Sequence, residues 1–130
     1  MSLEAISTPN APAAVGPYSQ AIRAGDMLYL SGQIPLDPQT MQIQSGDTGD
    51  QAKRVMENLR AVLSAAGISF SYVVMTTIYL TDLGDFALVN KIYESFFEAG
   101  SSFPARVTVE VSKLPRDARV EISMIAKLPS

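Results

Sequence analysis

A helical repeat between Thr48 and Ala66 is the feature that most constrains the fold of this chain. Apolar side chains recur there at offsets of 0, 3, 4, 7, 10, 11 and 14 residues, at Ala52, Val55, Met56, Leu59, Val62, Leu63 and Ala66. This spacing places one apolar stripe along one face of an α-helix. Thr48 and Gln51 have capping-box spacing at its start, and Gly67 is suited to end it. A helix with one apolar face needs an apolar surface to cover.

A second amphipathic helix is predicted between Phe86 and Phe97. Its apolar positions are Phe86, Val89, Ile92, Tyr93, Phe96 and Phe97. Asp82 or Asp85 is the predicted N-cap, and Gly100 is the predicted stop. The chain therefore supplies two helices that each bury one face.

The rest of the ordered chain reads as strands. The predicted strands are Ala21 to Arg23, Met27 to Leu30, Tyr72 to Leu80, Ala105 to Val111 and Arg119 to Ala126. A proline-rich arm from Ser7 to Tyr18 precedes them, and a loop runs from Ser31 to about Gly46. The order β-β-α-β-α-β-β predicts a single α+β domain over residues 1–130, in which two helices cover one face of one sheet.

The last two strands each alternate between apolar and polar side chains. In the first, Val107, Val109 and Val111 oppose Arg106, Thr108 and Glu110; in the second, Val120, Ile122, Met124 and Ala126 oppose Arg119, Glu121, Ser123 and Ile125. We expect the polar sets to share the sheet face that the helices leave open. That face is either solvated or a subunit interface with a polar pocket.

Composition removes several classes of function. The 130 residues contain no histidine and no cysteine, which excludes a thiolate nucleophile, a Ser-His-Asp triad and an ordinary zinc site. A formal net charge of −3 makes nucleic acid an unlikely partner. No apolar run approaches the roughly 20 residues of a membrane span, and the N-terminus lacks the order of a signal peptide, so we expect a cytoplasmic protein.

Two charged residues on the predicted sheet are candidates for chemistry. Arg106 follows Phe103-Pro104-Ala105, where the proline restricts the entry to the strand. Its guanidinium could bind a carboxylate through two parallel hydrogen bonds, or form a structural salt bridge with Glu110, Glu121 or a neighbouring subunit. Glu121 either pairs with a cation or holds and activates a water molecule.

Polar groups elsewhere in the chain offer weaker signals. Ser31-Gly32 at a strand end supplies a hydroxyl and an unhindered amide for an anion, or is only a turn. Tyr18 in the proline-rich arm is a packing or a site residue. Asn90 either bonds across an interface or faces water.

Taken together, these segments resemble the reactive intermediate deaminase (RidA, also called YjgF) family from about Thr8 to Ala126. The matching motifs are Ala11 to Gln20, Ser31-Gly32-Gln33-Ile34-Pro35, Gln51, Asn58-Leu59, Ala65-Ala66-Gly67, Asp85-Phe86, Val89-Asn90, Tyr93, Phe103-Pro104-Ala105-Arg106, Leu114-Pro115, Val120-Glu121-Ile122 and Ile125-Ala126. Their order and spacing along the chain make the resemblance specific.

The resemblance implies a chorismate-mutase-like fold and a homotrimer whose sheets form a central barrel, with three sites in the clefts between subunits. Family members of the RidA branch hydrolyse 2-imino acids, such as 2-iminobutanoate and 2-iminopropanoate, to 2-oxo acids and ammonia. Pyridoxal-phosphate-dependent dehydratases release these imines, and the hydrolysis uses no metal and no organic cofactor.

Carried over by position, Arg106 would bind the substrate carboxylate with the Gly32 amide, and Glu121 would position the attacking water. Tyr18, Ser31 and Asn90 would line the cleft. Thr108 stands where close relatives often have cysteine, and its carbonyl would help to orient the water. Two other readings stay open: a non-catalytic, chaperone-like trimer that binds small carboxylates or proteins, and an RNA-acting factor.

Overall fold

The computed structural model describes residues 3–129 as a mixed α+β unit with two α-helices. In chain order the elements are β1 (Glu4–Ile6), β2 (Ala21–Ala24), β3 (Met27–Gln33), α1 (Thr48–Ala65), β4 (Val73–Leu80), α2 (Phe86–Glu94), β5 (Ala105–Glu110) and β6 (Val120–Lys127). Short 3-10 turns lie at Phe70–Tyr72, Leu83–Asp85 and Pro115–Asp117.

All six strands belong to one sheet in the order β1-β2-β3-β6-β4-β5. Neighbouring strands are antiparallel except β4 and β5, which are parallel and joined by the crossover through α2. The last strand of the chain, β6, lies between β3 and β4 in the centre of the sheet. The predicted α+β class and the two helices over one sheet are confirmed.

The core lies between the helices and one face of the sheet. The residues of the α1 repeat are fully buried: Val55, Met56, Leu59, Val62 and Leu63. Their counterparts from the sheet are Leu28, Ile78, Leu80, Ile122 and Met124. Burial of such side chains stabilises a fold by about 1.5–3 kcal/mol each. The helical repeat therefore packs α1 against side chains from three strands, β3, β4 and β6.

The capping box of α1 is one residue away from the predicted one. Asp47 is the N-cap, its side chain accepts from the Asp50 amide at 2.9 Å, and Asp50 returns a bond from the Asp47 amide. The two residues predicted to form the box bind other elements. Thr48 donates to the Asp85 carboxylate at 2.8 Å, and Gln51 accepts from the Arg119 amide at 2.9 Å.

Helix α2 is shorter than predicted, because its last aromatic residues leave the helix to pack as a cluster. The helix ends at Glu94 and not at Phe97. Phe96 and Phe97 pack on Phe70, with ring centroids 5.8 and 5.5 Å away. Asp82 caps the preceding 3-10 turn by accepting from Gly84, and Asp85 makes no side-chain cap.

The strands at the N-terminal edge of the sheet also differ in number and length from the prediction. The short strand β1 pairs with β2 and was not predicted, since three residues carry no detectable alternation. Strand β3 continues past Leu30 to Gln33, and its pairing with β6 jumps from Leu30 to Gln33. Ser31 and Gly32 therefore lie in a β-bulge inside the strand and not at a strand end.

The predicted orientation of β5 was wrong, whereas that of β6 is confirmed. Thr76 pairs with Arg106, so Arg106 and Thr108 share the helix-covered face with buried Thr76. Val107 and Val109 lie on the open face with exposures of 45% and 37%. Alternation in a sequence separates two faces but does not say which one is covered; the register of pairing decides that.

Candidate active site

Arg106 lies on the edge strand β5 beneath helix α2. Its Nη1 donates to the Asn90 side-chain oxygen at 2.6 Å. The guanidinium carbon lies 5.2 Å from the Tyr93 ring centroid and 5.5 Å from that of Phe86. Phe86, Asn90 and Tyr93 are four and three residues apart, which places them on one helix face. The arginine is therefore held by an amide and two aromatic rings, and no carboxylate pairs with it among residues 3–129.

Arg106 lines an open cavity of about 300 Å³. Its lining includes Phe103 and Pro104 from the entry to β5 and Glu94 from the end of α2. The Tyr93 hydroxyl, which also borders this cavity, donates to the Thr76 hydroxyl at 3.0 Å. Burial raises the pKa of Tyr93, against the smaller opposing effects of Thr76 and of the Arg106 charge. Tyr93 is therefore a neutral support for the cation, whose remaining N–H groups can bind a carboxylate.

Glu121 lies on the opposite face of the sheet, in a cleft of about 500 Å³ that Tyr18, Ser31 and Gly32 also line. The carboxyl group is pressed against Gly32: a Cβ atom at residue 32 would lie 2.9 Å from Glu121 Cδ and closer still to Oε2. Burial raises the pKa of Glu121. A half-buried carboxylate of raised basicity is suited to accept a proton from water.

The bulge in β3 explains why Gly32 approaches the carboxylate. The extra residue of a bulge disrupts the hydrogen-bonded ladder and bends the strand, here beside β6, which carries Glu121. The Ser31 amide donates to the Gln20 backbone carbonyl at 3.0 Å, and the Ser31 hydroxyl donates to the Ser19 carbonyl at 2.6 Å. Ser31 thus fastens the arm that carries Tyr18, which remains 52% exposed in the cleft.

Gln20 holds the proline-rich arm that borders this cleft, a role that the sequence alone did not reveal. Its buried amide donates to the carbonyls of Thr8, Ala11 and Pro12 and accepts from the Thr8 amide at 2.7 Å. A proline-rich arm makes few backbone bonds of its own, so it needs such a side chain to hold it. A glutamine at the end of a proline-rich arm was the available signal.

The predicted site residues form two groups that do not meet within one chain. Tyr18, Ser31, Gly32 and Glu121 share one cleft, while Asn90 and Arg106 share the other cavity. Thr108 follows Arg106 on the helix-covered face, and its buried hydroxyl has no hydrogen-bond partner among the described residues. The expectation that Arg106 and Glu121 share one polar face is therefore wrong for a single subunit.

A family model described as Endoribonuclease L-PSP matches residues 8–128 of the chain. The chain belongs to this family, the YjgF/RidA family. This confirms the resemblance seen in the sequence.

Relatives within the YjgF/RidA family carry different names. Protein DfrA of Myxococcus xanthus is 58% identical over 128 residues, covering 97% of this chain and 96% of that protein. The 2-iminobutanoate/2-iminopropanoate deaminase of Salmonella typhimurium is 48% identical over 122 residues, 93% and 94% of the two chains. The crystal structure of E. coli TdcF with bound serine superposes with a TM-score of 0.92 at 42% identity, covering 97% and 99%.

Residues 3–129 show neither a membrane-spanning helix nor a clustered metal site. None of the helices there has the length and apolarity needed to cross a membrane. Over the same residues, no group of three or more Asp or Glu side chains is arranged to hold a metal ion.

Proposed function

We propose that this protein hydrolyses 2-imino acids, such as 2-iminobutanoate and 2-iminopropanoate, to 2-oxo acids and ammonia. The observation that carries the proposal is the Glu121 carboxyl group, half-buried and pressed against the Gly32 backbone in an open cleft. Such a group can hold and activate water, and hydrolysis of an imine requires little more. The identity of 48% to a named deaminase supports the same reaction.

The complete site is formed by two copies of the chain. Arg106 and Glu121 lie on opposite faces of one sheet, so one subunit cannot present both to a small substrate. The sheet face that the helices leave open carries exposed Tyr29, Val107 and Val109. A homotrimer with its sheets in a central barrel would cover this face and bring Arg106 of one copy to the Glu121 cleft of the next.

In this site, the substrate carboxylate binds to the Arg106 guanidinium of one copy and to the Gly32 amide of its neighbour. Asn90 holds the guanidinium in place, and Ser31 anchors the arm from which Tyr18 lines the cleft. The Thr108 carbonyl helps to orient the water. These contacts place the imine carbon beside Glu121, so the chemistry gains mainly from positioning.

The reaction begins when Glu121 accepts a proton from water while the oxygen adds to the imine carbon. The carbon-oxygen bond forms, and the electron pair of the carbon-nitrogen double bond moves to nitrogen. The nitrogen takes up the protons released from water, and collapse of the carbinolamine breaks the carbon-nitrogen bond. Ammonia leaves and the 2-oxo acid remains, so one water is consumed for each imine.

Two other activities compete with this proposal. TdcF was crystallised with serine, which fits a trimer that binds small carboxylates without turnover. The family description names an endoribonuclease, which fits an RNA-acting factor. The net charge of −3 does not favour the basic surface that such an activity needs, and the chain has no histidine to act as an imidazole general acid.

The test is a coupled assay in which a pyridoxal-phosphate-dependent dehydratase releases the imine and the appearance of 2-oxo acid is followed. We expect this protein to accelerate that step, as it would beside such a dehydratase in the cytoplasm. Light scattering should give about three times 14.0 kDa. Binding of 2-oxobutanoate without acceleration would support the carboxylate-binding reading, and a mass of one chain would remove the composite site.

A further inference from the structure

The Glu121 cleft contains a cation that the proposed mechanism does not use. Arg116 lies in the 3-10 turn Pro115–Asp117, between β5 and β6, and lines the cleft together with Tyr18, Gly32 and Glu121. This turn is a segment of the chain to which the proposed mechanism assigns no role.

The turn presents Arg116 in a backbone conformation that non-glycine residues rarely adopt. Arg116 has φ 59° and Asp117 has φ 56°, both in the left-handed region. Buried Leu114 and Ala118 fix the two ends of the turn. The Asp117 amide donates to the Leu114 carbonyl at 3.2 Å, so the strained residues are held in place by their surroundings.

The ion pairs that the described residues form around this turn do not involve Arg116, which lines the cleft. Lys113 lies 3.3 Å from the Asp117 carboxylate and neutralises it. The four ion pairs found among residues 3–129 do not include Arg116. Glu121 is the acidic member of the cleft lining, and Arg116 is the basic one. A ligand that carries a second negative charge would meet repulsion from Glu121 and attraction from Arg116.

We propose that Arg116 is a specificity-determining residue that admits 2-imino acids with a carboxylate in the side chain. This rests on the proposed function, in which Arg106 binds the first carboxylate and Glu121 activates water. The class of substrate is the imine of a dicarboxylic amino acid. Arg116 acts here by donating hydrogen bonds to the side-chain carboxylate, and the hydrolysis itself is unchanged.

The experiment compares two imines that differ only at the end of the side chain. 2-Iminopentanedioate and 2-iminopentanoate are generated in situ from glutamate and norvaline by an amino-acid oxidase, and kcat/KM is measured for each. Since exposed ion pairs contribute little, we expect the ratio of dioate to pentanoate to fall about fivefold in Arg116→Gln. Arg116→Lys should keep the ratio because it keeps the charge.

Lys113→Gln is the matched control. It removes one positive charge from the segment that leads into this turn, but Lys113 does not line the cleft. The ratio should therefore stay at the value of the unmodified protein. A ratio that is unchanged in Arg116→Gln, or one that falls equally in Lys113→Gln, would overturn the proposal.

A binding measurement separates this proposal from the reaction on which it rests. If the unmodified protein hydrolyses neither imine, calorimetry with 2-oxoglutarate and 2-oxopentanoate decides the role of Arg116, and the assay with 2-iminobutanoate decides separately whether the proposed function fails. A preference for 2-oxoglutarate that falls about fivefold in Arg116→Gln supports the role. Equal affinity for the two acids, or no binding of either, overturns it.

Discussion

The Arg106 cavity and the Glu121 cleft hold their charged groups in opposite ways. Arg106 donates to Asn90 and lies against two aromatic rings, so its position is set before a ligand binds. Glu121 accepts no side-chain hydrogen bond within residues 3–129 and is confined by the proximity of Gly32. The first region is therefore suited to bind an anion, whereas the second is suited to hold a water molecule beside a carboxylate oxygen.

The two regions also differ in the face of the sheet on which they lie. Arg106 shares the helix-covered face with Thr76, while Glu121 pairs with Tyr79 on the open face. One polar pocket in one chain cannot contain both groups. In the proposed function, recognition and water activation would therefore be supplied by separate copies, and the following experiments test that division.

The largest loss is expected from Glu121→Gln, which removes the proton acceptor and keeps the size of the side chain. Loss of a general base costs about 10²- to 10⁴-fold in rate, so kcat should fall in that range. Binding of 2-oxobutanoate should change much less, because Arg106 holds the carboxylate. Parallel loss of binding and trimer mass would identify Glu121 as a structural residue instead.

Arg106→Ala should lower kcat/KM for 2-iminobutanoate at least about a hundredfold, since each charge-assisted bond contributes roughly 1.5–3 kcal/mol. Arg106→Lys should recover little, because lysine keeps the charge but lacks the planar fork. Thermal unfolding should move far less than activity, because the cavity is open to water. Normal turnover with early melting would assign Arg106 to stability.

Mixing the two inactive variants tests whether different copies supply the two groups. In trimers refolded from equal amounts of Arg106→Ala and Glu121→Gln, about a quarter of the clefts pair an intact Arg106 with an intact Glu121 of the next copy. Activity should therefore rise from near zero to about a quarter of that of the unmodified protein. Each variant refolded alone is the control, and no rise on mixing would place the site within one chain.

Gly32→Ala should displace the Glu121 carboxyl group and lower kcat/KM about tenfold, because the new methyl group would overlap Glu121 Cδ and Oε2. The effect should be mostly absent in a Glu121→Gln background, where the misplaced base is already gone. Kinetics of the single and double variants measure this coupling. Two independent losses would show that Gly32 acts only through its own amide.

The smallest effect concerns pH. Burial raises the pKa of Glu121, so its charged form is disfavoured in the folded state. The resulting loss of folding free energy is absent below the ordinary pKa of a glutamate. It grows as the pH rises from that pKa to the raised pKa and is complete above it. Glu121→Gln should therefore unfold at the same or a slightly higher temperature at pH 7, with the difference vanishing in acid. Activity of the unmodified protein should decline as the pH falls through the raised pKa, because the base becomes protonated.

Much of the fold was predictable because its signals are local. The apolar repeat from Ala52 to Ala66 predicts a helix from neighbouring residues alone, and the helix needs only one apolar surface to pack against. The alternation from Val120 to Ala126 likewise matches the observed burial residue by residue. The end of α2 at Glu94 was not predictable in this way, because contacts with distant Phe70 draw Phe96 and Phe97 out of the helical path.

The candidate site was predictable as a set of residue types but not as an arrangement. Arg106 after Pro104, and Glu121 in an alternating strand, stood out as charged groups on rigid backbone. The bulge at Ser31 and Gly32 could not be predicted. A bulge is a mismatch in the pairing of two strands, so the sequence of one strand carries no signal for it.

The sequence by itself determined the helices, the apolar alternation of β6, the absence of imidazole and thiol chemistry, and the family. Only the tertiary structure decided that Arg106 and Glu121 face opposite sides of the sheet. Successive side chains of a strand point to opposite faces of the sheet. A sequence therefore separates the two faces without saying which one a helix covers. The parallel pairing of β5 with β4 and the antiparallel pairing of β6 with β4 settle that assignment, and both are contacts between residues far apart in the chain.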